Sequence, residues 1–265
     1  GSSSSCTIKN NFLVFDGKTT GLKVDSINPI SNGFSLLAWV KVPAGFVGNG
    51  YIIAKGNDNS QGSYGLLVTA PNNVDYRLAV LSFVNSPVWA ITSASSISPD
   101  TWYLLSGTRE ANGVVKAFIN GKLVSQAQGQ AGGFSNSQSF TIGYQNRPSF
   151  SYNFKGTVGE VAVFNRILSE AEFTAVYQNQ KNVYSDFPTQ LSPISLGIDM
   201  TGNTLLMRLN KDASQGIPDE SNSLQGNAVC APTACPTLDS KCVQSTSSAC
   251  VACGAQGQPA CQVTP

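Results

Sequence analysis

The chain has 265 residues, of which 41% are hydrophobic and 12% are charged, and its formal net charge is +1. This length and apolar content allow one large domain with a core, whereas the sparse, balanced charge excludes a nucleic-acid-binding surface and a polybasic membrane patch, and no apolar run is long enough to span a membrane. The absence of histidine excludes His-based acid–base catalysis, Ser-His and Cys-His nucleophile pairs, and His-ligated metals.

Residues 1–10 form a Ser-rich N-terminal segment that we expect to lie outside the fold. From Asn11 to about Gly143, short apolar runs alternate with turn residues at the spacing of an all-β sandwich or barrel. In "GFSLLAWVKVP", period-two alternation separates two faces: Phe34, Leu36, Ala38 and Val40 on one, and Leu37, Trp39 and Lys41 on the other.

Two Asn-Gly pairs predict hairpin turns between these strands. Asn112-Gly113 separates "LLSGTRE" from "VVKAFI", and Asn120-Gly121 separates that strand from "KLVSQA". Asn-Gly readily takes positive φ at both central positions, as a type I′ turn requires.

The stretch "FKGTVGEVAVFNRILSEAEFTAVY" begins as a strand and ends as a helix of one or two turns. Ser169 and Glu172 have the Ser-x-x-Glu spacing of a capping box, in which each side chain satisfies a backbone N–H of the first turn. Phe173, Val176 and Tyr177 form a short apolar face. We expect this face to seal the end of the sandwich.

The segment after the helix changes character twice. Residues 179–193 are polar with two prolines and indicate a linker, and "NTLLMRLN" (residues 203–210) then predicts one more strand. Residues 184–229 are therefore a linker plus an extra strand. Residues 230–265 form an irregular tail rich in Ala, Pro, Ser, Thr and Cys, with too few large apolar residues for a core of its own.

The seven cysteines indicate an oxidising, extracellular location. One stands alone and six crowd into the tail: Cys6, Cys230, Cys235, Cys242, Cys250, Cys253 and Cys261. A loop-rich secreted tail needs disulfides of this kind, although their pairing does not follow from the sequence. Zinc is the alternative, since Cys250 and Cys253 have ligand spacing, but no second such pair completes a site. The odd number predicts an intermolecular bridge or an unseen partner cysteine.

Several segments in this order resemble laminin G-like domains of the concanavalin A-like jelly-roll superfamily. They are "FSLLAWVKVP", "IIAKGNDNSQGSYGLLV", "TWYLLSGTREANGVVKAFINGKLV", "FTIGYQ" and the strand–helix stretch. The resemblance covers about residues 12–178. It implies an all-β fold, a two-sheet antiparallel jelly-roll sandwich with one short helix, over residues 11–183. It says little about the ligand.

The chain departs from this family in the position of one segment. Relatives usually carry a motif similar to "LLMRLNKDASQGIPDESNSLQGNAV" before the "FDG" strand, whereas here it follows the helix, at residues 205–229. Three arrangements remain open. The strand closes the sheet of its own chain by circular permutation, it is donated to a neighbouring subunit by β-strand addition, or it begins a truncated repeat.

The superfamily includes glycoside hydrolases, but the sequence lacks their paired carboxylates. The Glu-x-Asp-x-x-Glu pattern is absent, and the clustered acids of the jelly-roll region are Glu160, Glu170 and Glu172, with the last two on the helix. We therefore expect no enzymatic activity.

Calcium is the cofactor that the resemblance implies, if any is bound. The candidate calcium ligands are five residues with side-chain oxygens: Asp16, Asn57, Asp58, Asn59 and Glu160. Two of them, Asp16 and Glu160, occupy positions where relatives often hold a structural calcium. The alternative is that Asp16 forms a simple Asp-Gly turn and residues 57–59 form a solvated loop, since relatives carry further acids where this chain has Lys18 and Gly159.

Glycan binding would use exposed aromatic rings. The candidates in the aromatic loop "YQNRPSFSYNF" are Tyr144, Arg147, Phe150 and Tyr152, with Tyr51, Tyr64 and Trp89 as further aromatics. Trp39 and Trp102 are interpreted as core residues.

Two functions remain open from the sequence. The first is a non-catalytic extracellular structural or adhesive module that assembles with copies of itself, or with matrix and cell-surface proteins, by strand donation or intersubunit disulfides. The second is a lectin-like domain that binds glycans, with or without calcium. Neither function involves nucleic acid or membrane insertion.

Overall fold

The computed structural model of the chain describes residues 7–9, 12–18, 20–24, 33–56, 60–132, 137–145, 152–184, 196–201, 203–208 and 228–230. Helix α1 spans Glu170–Gln180. In chain order the strands of the described part are β1 (Thr7–Lys9), β2 (Phe12–Asp16), β3 (Leu22–Val24), β4 (Phe34–Lys41), β5 (Gly48–Lys55), β6 (Tyr64–Ala70), β7 (Arg77–Val84), β8 (Ser86–Ile91), β9 (Trp102–Arg109), β10 (Val114–Ile119), β11 (Lys122–Gln128), β12 (Phe140–Ile142), β13 (Lys155–Phe164), β14 (Asn203–Arg208) and β15 (Ala228–Cys230).

The strands form two antiparallel sheets packed face to face, which confirms the jelly-roll sandwich. The eight-stranded sheet has the order β1-β2-β13-β4-β9-β10-β11, with β14 also paired to β13. The seven-stranded sheet has the order β15-β3-β12-β5-β6-β7-β8. No helix in the described ranges has the length and apolar character needed to cross a membrane.

The long strand β13 organises the eight-stranded sheet. One of its edges pairs along its length with β4. Its other edge is shared, because the first residues pair with β2 and the last ones with β14. The predicted extra strand therefore lies beside β13 of its own chain and fills the half of that edge that β2 leaves.

Strand β4 is apolar on both faces, and the structure buries both. Phe34, Leu36, Ala38 and Val40 point into the core between the sheets, as predicted. Leu37 and Trp39 point to the outer face of the eight-stranded sheet and belong to a second apolar cluster there. The protein thus has one core inside the sandwich and another on the outside of one sheet.

The two predicted Asn-Gly turns differ in the structure. Asn120 and Gly121 both have positive φ, 52° and 83°, which confirms the type I′ turn. The prediction for Asn112 is wrong, because only Gly113 has a positive φ, 95°. The Gly113 N–H donates to the Glu110 carbonyl, and the Glu110 N–H donates to the Val114 carbonyl, so this loop has three residues and ends in a glycine bulge.

Two short strands lie in segments where the sequence predicted none. β1 lies within the Ser-rich N-terminal segment and pairs with β2 at the edge of the eight-stranded sheet. β15 reaches into the first residue of the Cys-rich tail and pairs with β3 at the edge of the seven-stranded sheet. Three residues in a polar context carry too little periodicity to be read as a strand.

Candidate functional site

Helix α1 closes much of the outer face of the eight-stranded sheet. The capping box is present, since the Ser169 hydroxyl accepts from the Glu172 N–H and the Glu172 carboxylate accepts from the Ser169 N–H at 2.8 Å. Phe173 and Val176 are fully buried in the outer cluster, where Phe173 packs on Phe118 with ring centroids 4.7 Å apart. The prediction that the helix seals the end of the sandwich is wrong, because its apolar face packs onto a sheet.

A buried chain of hydrogen bonds fixes the end of the helix to this sheet. The Trp39 indole N–H donates to Gln180 Oε1 at 2.7 Å, and the Gln180 amide donates to Glu160 Oε1 at 3.0 Å. Glu160 and Gln180 are each only 1% exposed. These two bonds orient the end of α1 on the sheet, and they hold the Glu160 carboxylate beneath the surface.

Stacked aromatic rings continue this cover beyond the helix. Tyr184 lies almost parallel to Trp39, with ring centroids 4.4 Å apart and planes at 14°, and it also contacts Phe12 and Trp102. Gly159 makes this possible, because a Cβ at that position would stand 2.1 Å from the Tyr184 ring. The sequence indicated a linker here, yet Val183 and Tyr184 are buried.

Arg166 ties the segment before β14 to the start of the helix. Its guanidinium pairs with Glu172 at 2.7 Å and donates to the carbonyls of Asp199 and Thr201. Burial raises the pKa of Glu172, but the hydrogen bonds from Arg166 and Ser169 outweigh it, and the net pKa lies below its ordinary value. Hydrogen bonds from Thr201 lower the pKa of Asp199.

The outer face stays open at the opposite end of β4 and β13, where it forms a groove of about 210 Å³. Two lysines, one aspartate and one threonine supply its polar groups, and it is lined by Val14, Phe15, Lys41, Pro43, Asp100, Lys155, Gly156 and Thr157. We call this site the groove. It brings together residues from β2, β4 and β13 and from the loop before β9.

The register of the strands sets the spacing of the polar groups in the groove. Lys41 lies opposite Thr157, and Lys155 is two residues before Thr157, so the two lysines are diagonal neighbours on one face, with Cβ atoms somewhat less than about 7–8 Å apart. Gly156 has a φ of 150° and lines the groove with its backbone; a Cβ there would meet the Lys41 carbonyl and the Phe154 ring, each at 2.6 Å, so a larger residue does not fit between the two sheets at this point.

The Asp100 carboxylate adds a hydrogen-bond acceptor to the wall of the groove, and the Trp102 ring lies beside the groove. Asp100 has a φ of 55°, and its N–H donates to the Val42 carbonyl at 2.7 Å. Trp102 lies opposite Lys41 on the next strand and on the same face of the sheet. The prediction that Trp102 is a core residue needs correction, because its side chain is only half-buried.

The two described members of the predicted calcium set do not meet. Asp16 Oδ1 accepts from the Lys18 N–H at 2.8 Å, from the Thr20 N–H at 3.0 Å and from the Thr20 hydroxyl, which is the simple turn of the alternative reading. Asp16 lies opposite Lys155, five residues along β13 from Glu160, a separation of roughly 16 Å. Asn57, Asp58 and Asn59 lie outside the described residues. Within the described ranges, no three Cys, Asp or Glu residues come together as a metal site.

The predicted aromatic glycan site is only partly described. Tyr144 is 5% exposed, so it offers no open ring, while Tyr152 is half-buried against Tyr51, with centroids 6.2 Å apart. Tyr64 contacts Phe34 in the main core, with ring centroids 4.4 Å apart, and burial there raises the pKa of its phenol. Arg147 and Phe150 lie outside the described residues.

The disulfide prediction also falls outside what is described. Cys230 is the last residue of β15, and the other six cysteines lie outside the described residues: Cys6, Cys235, Cys242, Cys250, Cys253 and Cys261.

Sequence reasoning missed the groove because its residues are distant along the chain. Lys41 was placed on the Trp39 face of its strand, but Lys155 and Asp100 carry no pattern of their own. Only the pairing of β13 with both β2 and β4 brings them together. The one signal that pointed to this face was the apolar character of β4 on both sides.

A model of the concanavalin A-like lectin/glucanases superfamily matches residues 16–173 of the chain. No curated protein sequence matches this chain.

Three solved structures are similar in fold. A native heptameric SAP-like pentraxin from Limulus polyphemus is 15% identical, with a TM-score of 0.52, over 64% of this chain and 84% of that chain. A putative carbohydrate binding protein from Bacteroides ovatus is 18% identical, with a TM-score of 0.54, over 81% of this chain and 60% of that chain. The binding domain of botulinum neurotoxin serotype D is 14% identical, with a TM-score of 0.51, over 67% of this chain and 46% of that chain. At these identities the likeness is one of fold.

Proposed function

Since the chain belongs to the concanavalin A-like lectin/glucanase superfamily, we propose that it is a non-catalytic extracellular module that binds a glycan in the groove. The observation that carries this proposal is the composition of the groove. Lysine donors and an aspartate acceptor stand around Val14 and the backbone of Gly156, and the partly buried Trp102 ring lies opposite Lys41 on the neighbouring strand. Sugars need this mixture, because each hydroxyl both donates and accepts while the ring carbons pack on aromatic and aliphatic faces.

The size of the groove supports a small contact. Pockets for drug-sized ligands have volumes of about 300–1,000 Å³, whereas the groove has about 210 Å³. This is room for one sugar ring or the end of a chain, with neighbouring sugars lying on the open surface. We expect weak binding per site, strengthened where several copies of the protein act together.

Two observations support binding without hydrolysis. Glycoside hydrolases need two carboxylates flanking one bond, about 5–9.5 Å apart. Asp100 is the acid that lines the groove, whereas Glu160 is buried beneath Gln180. Asp16 lies opposite Lys155 on the same face, but its carboxylate oxygen Oδ1 accepts hydrogen bonds from Lys18 and Thr20 in a turn, which favours a structural role over that of a second catalytic carboxylate. The Bacteroides ovatus protein of similar fold, described as a putative carbohydrate binding protein, favours the same reading.

The proposed adhesive or structural role depends on the same groove. A module that binds glycans on a matrix or cell-surface protein acts as an adhesive, and it needs no strand exchange to do so. In this structure the extra strand pairs within its own chain, so an assembly by intersubunit linkage depends on the cysteines or on a surface of the sandwich.

The test is a glycan array with the full chain, once with calcium and once with EDTA, followed by calorimetric titration of the glycans that bind. Lys155→Ala removes an exposed lysine of the groove, and Lys122→Ala removes an equally exposed lysine on β11 as the control. We expect Lys155→Ala to weaken binding roughly tenfold or more, which is the loss of one charged hydrogen bond, and Lys122→Ala to change nothing. An array without hits, or equal affinities for the two variants, would refute the proposal, and loss of binding in EDTA would assign a role to calcium.

A further inference from the structure

Two cysteines stand at the short strands that end the two sheets on one side of the sandwich. β1 ends the eight-stranded sheet, and β15 ends the seven-stranded sheet. Cys6 directly precedes the first residue of β1, and Cys230 is the last residue of β15. At the opposite ends of the sheets, β11 and β8 contact each other. The strands β1 and β15 therefore lie on the same side of the sandwich.

The register of β1 assigns position 6 to the inner face of the eight-stranded sheet. Thr7 lies opposite Val14 of β2, so the ladder continued by one residue brings position 6 opposite Phe15. Directly opposed residues of an antiparallel pair share one face of the sheet. Phe15 belongs to the core between the two sheets. Cys6 thus follows from the chain as the residue that faces the other sheet at this edge.

Cys230 has the matching position in the seven-stranded sheet. It lies opposite Leu22 of β3, and Leu22 in turn lies opposite Ile142 of β12. Both of these residues belong to the core between the sheets. Position 230 is therefore also on the inner face of its sheet.

Contacts in the core show that the two rows of residues face each other. Phe15 packs against Gly143, the residue that follows β12, since a Cβ on this glycine would stand 2.1 Å from the ring. The chain crosses from β2 to β3 in the short turn between Asp16 and Leu22, which is tightened by the hydrogen bond of 3.0 Å from the Thr20 N–H to Asp16 Oδ1. With β2 and β3 held against each other, the next strand of each sheet brings its cysteine to the same corner.

We propose that Cys6 and Cys230 form a disulfide that joins the two sheets at this edge. Stacked sheets lie about 10 Å apart, and inward-facing cysteines of two sheets form such a bond in antibody domains. Closing it takes two protons and two electrons from the two thiols. A small-molecule disulfide such as oxidised glutathione accepts them as it is reduced to two thiols.

The two terminal strands are the elements that such a bond would stabilise. Each consists of three residues and pairs with a single neighbour in the described part of its sheet. Chain ends of this kind fray unless they are tied down. The bond ties both strands at once, and nearly the whole sandwich lies within the loop that it closes, which is the case in which a cross-link restricts the unfolded chain most.

The assignment also changes the interpretation of the other cysteines. Five remain, all in the tail: Cys235, Cys242, Cys250, Cys253 and Cys261. Five thiols cannot all pair with one another, so the cysteine that needs a partner elsewhere belongs to the tail and not to the N-terminal segment.

Peptide mapping of the full chain, alkylated and digested with trypsin without reductant, tests the pairing. Cleavage after Lys9 releases residues 1–9, which contain Cys6 alone, and cleavage after Lys211 and Lys241 releases residues 212–241, which contain Cys230 and Cys235. We expect one mass that joins these two peptides and that reduction separates. Cys235→Ser should keep the linked mass, and Cys230→Ser should lose it.

A chain that keeps only Cys6 and Cys230, with serine at the five tail cysteines, shows whether the bond lies within one molecule. It should run as a monomer on a non-reducing gel and contain no free thiol. Reduction should lower its urea midpoint by about 1 M, whereas Cys6→Ser in the same chain should remove this difference between the buffers.

Four results would overturn the proposal. They are an alkylated Cys6 in the wild type, linkage of residues 1–9 to a peptide beyond residue 241, a link that needs Cys235 instead of Cys230, and a covalent dimer of the two-cysteine chain. None of them bears on glycan binding, so the two proposals fail separately.

Discussion

Gln180 joins the helix to the sheet through two buried hydrogen bonds, and replacing it should cost more stability than its size indicates. Gln180→Leu keeps an apolar stem of similar volume but leaves the Trp39 indole N–H without its acceptor at 2.7 Å and removes one donor from the Glu160 carboxylate. A buried donor left unsatisfied costs about 1–3 kcal/mol, and a hydrogen bond to a charged group contributes about 1.5–3 kcal/mol. Allowing for the apolar surface that leucine adds, we expect a loss of roughly 2–4 kcal/mol in the free energy of unfolding.

The measurement is urea denaturation followed by circular dichroism, with Gln178→Leu as the matched control. Gln178 is on the same helix but exposed, so the same chemical change should stay within about 0.5 kcal/mol there. A double-mutant cycle with Trp39→Phe isolates the hydrogen bond from the indole. The double variant should lose less free energy of unfolding than the two single variants lose together, because each single change already breaks this bond. Equal losses for the two glutamine variants would refute the reasoning, since the buried bonds would then contribute nothing.

Two further changes probe the same outer face. Because the folded-state pKa of Glu172 is lowered, the stability that it contributes with Arg166 is complete above about pH 4.5 and is lost as the pH falls below that value. In urea titrations, Glu172→Gln should therefore lose less stability than the wild type between about pH 6 and pH 3. Parallel curves of stability against pH for the two proteins would contradict this. Gly159→Ala places a Cβ 2.1 Å from the Tyr184 ring and should lower the free energy of unfolding by about 1–3 kcal/mol. In calorimetry, Tyr184→Ala in the same chain should remove most of that penalty, and simple additivity of the two changes would speak against the contact.

Local patterns of the sequence predicted the elements of this fold well. Alternation in β4 gave the correct faces, and the Ser169–Glu172 spacing gave the correct start of the helix. These features depend on a few neighbouring residues, whose preferences the sequence shows directly. The turn at Asn112 is an exception, although it too depends on only a few neighbouring residues. An Asn-Gly pair fits a two-residue loop, but here Gly113 closes a three-residue loop, and the dipeptide alone does not distinguish them.

The partner of the helix was harder to predict, because amphipathicity shows which face is apolar and not what covers it. A sufficient signal was nevertheless present in β4. A strand with one solvated face alternates between apolar and polar residues, whereas β4 carries Leu37 and Trp39 on its second face. Such a strand must be covered on both sides. The groove had no comparable signal, since its lysines become neighbours only through the register of β13 with β4.

The cover and the groove are consequences of the same arrangement. Strands β4 and β13 run the whole length of the outer face, but the helix and the Tyr184 ring reach only as far as Glu160 and Gly159. Beyond that point the strands continue to Lys41 and Lys155 with no apolar side chain to bury, so the face opens there and turns polar. The buried half holds Trp39 and Trp102 in place, and Trp102 borders the open half. If the groove binds a glycan as proposed, the Trp102 ring at its border is held in position by Tyr184, so the outer core would support the binding site from the buried half of the face.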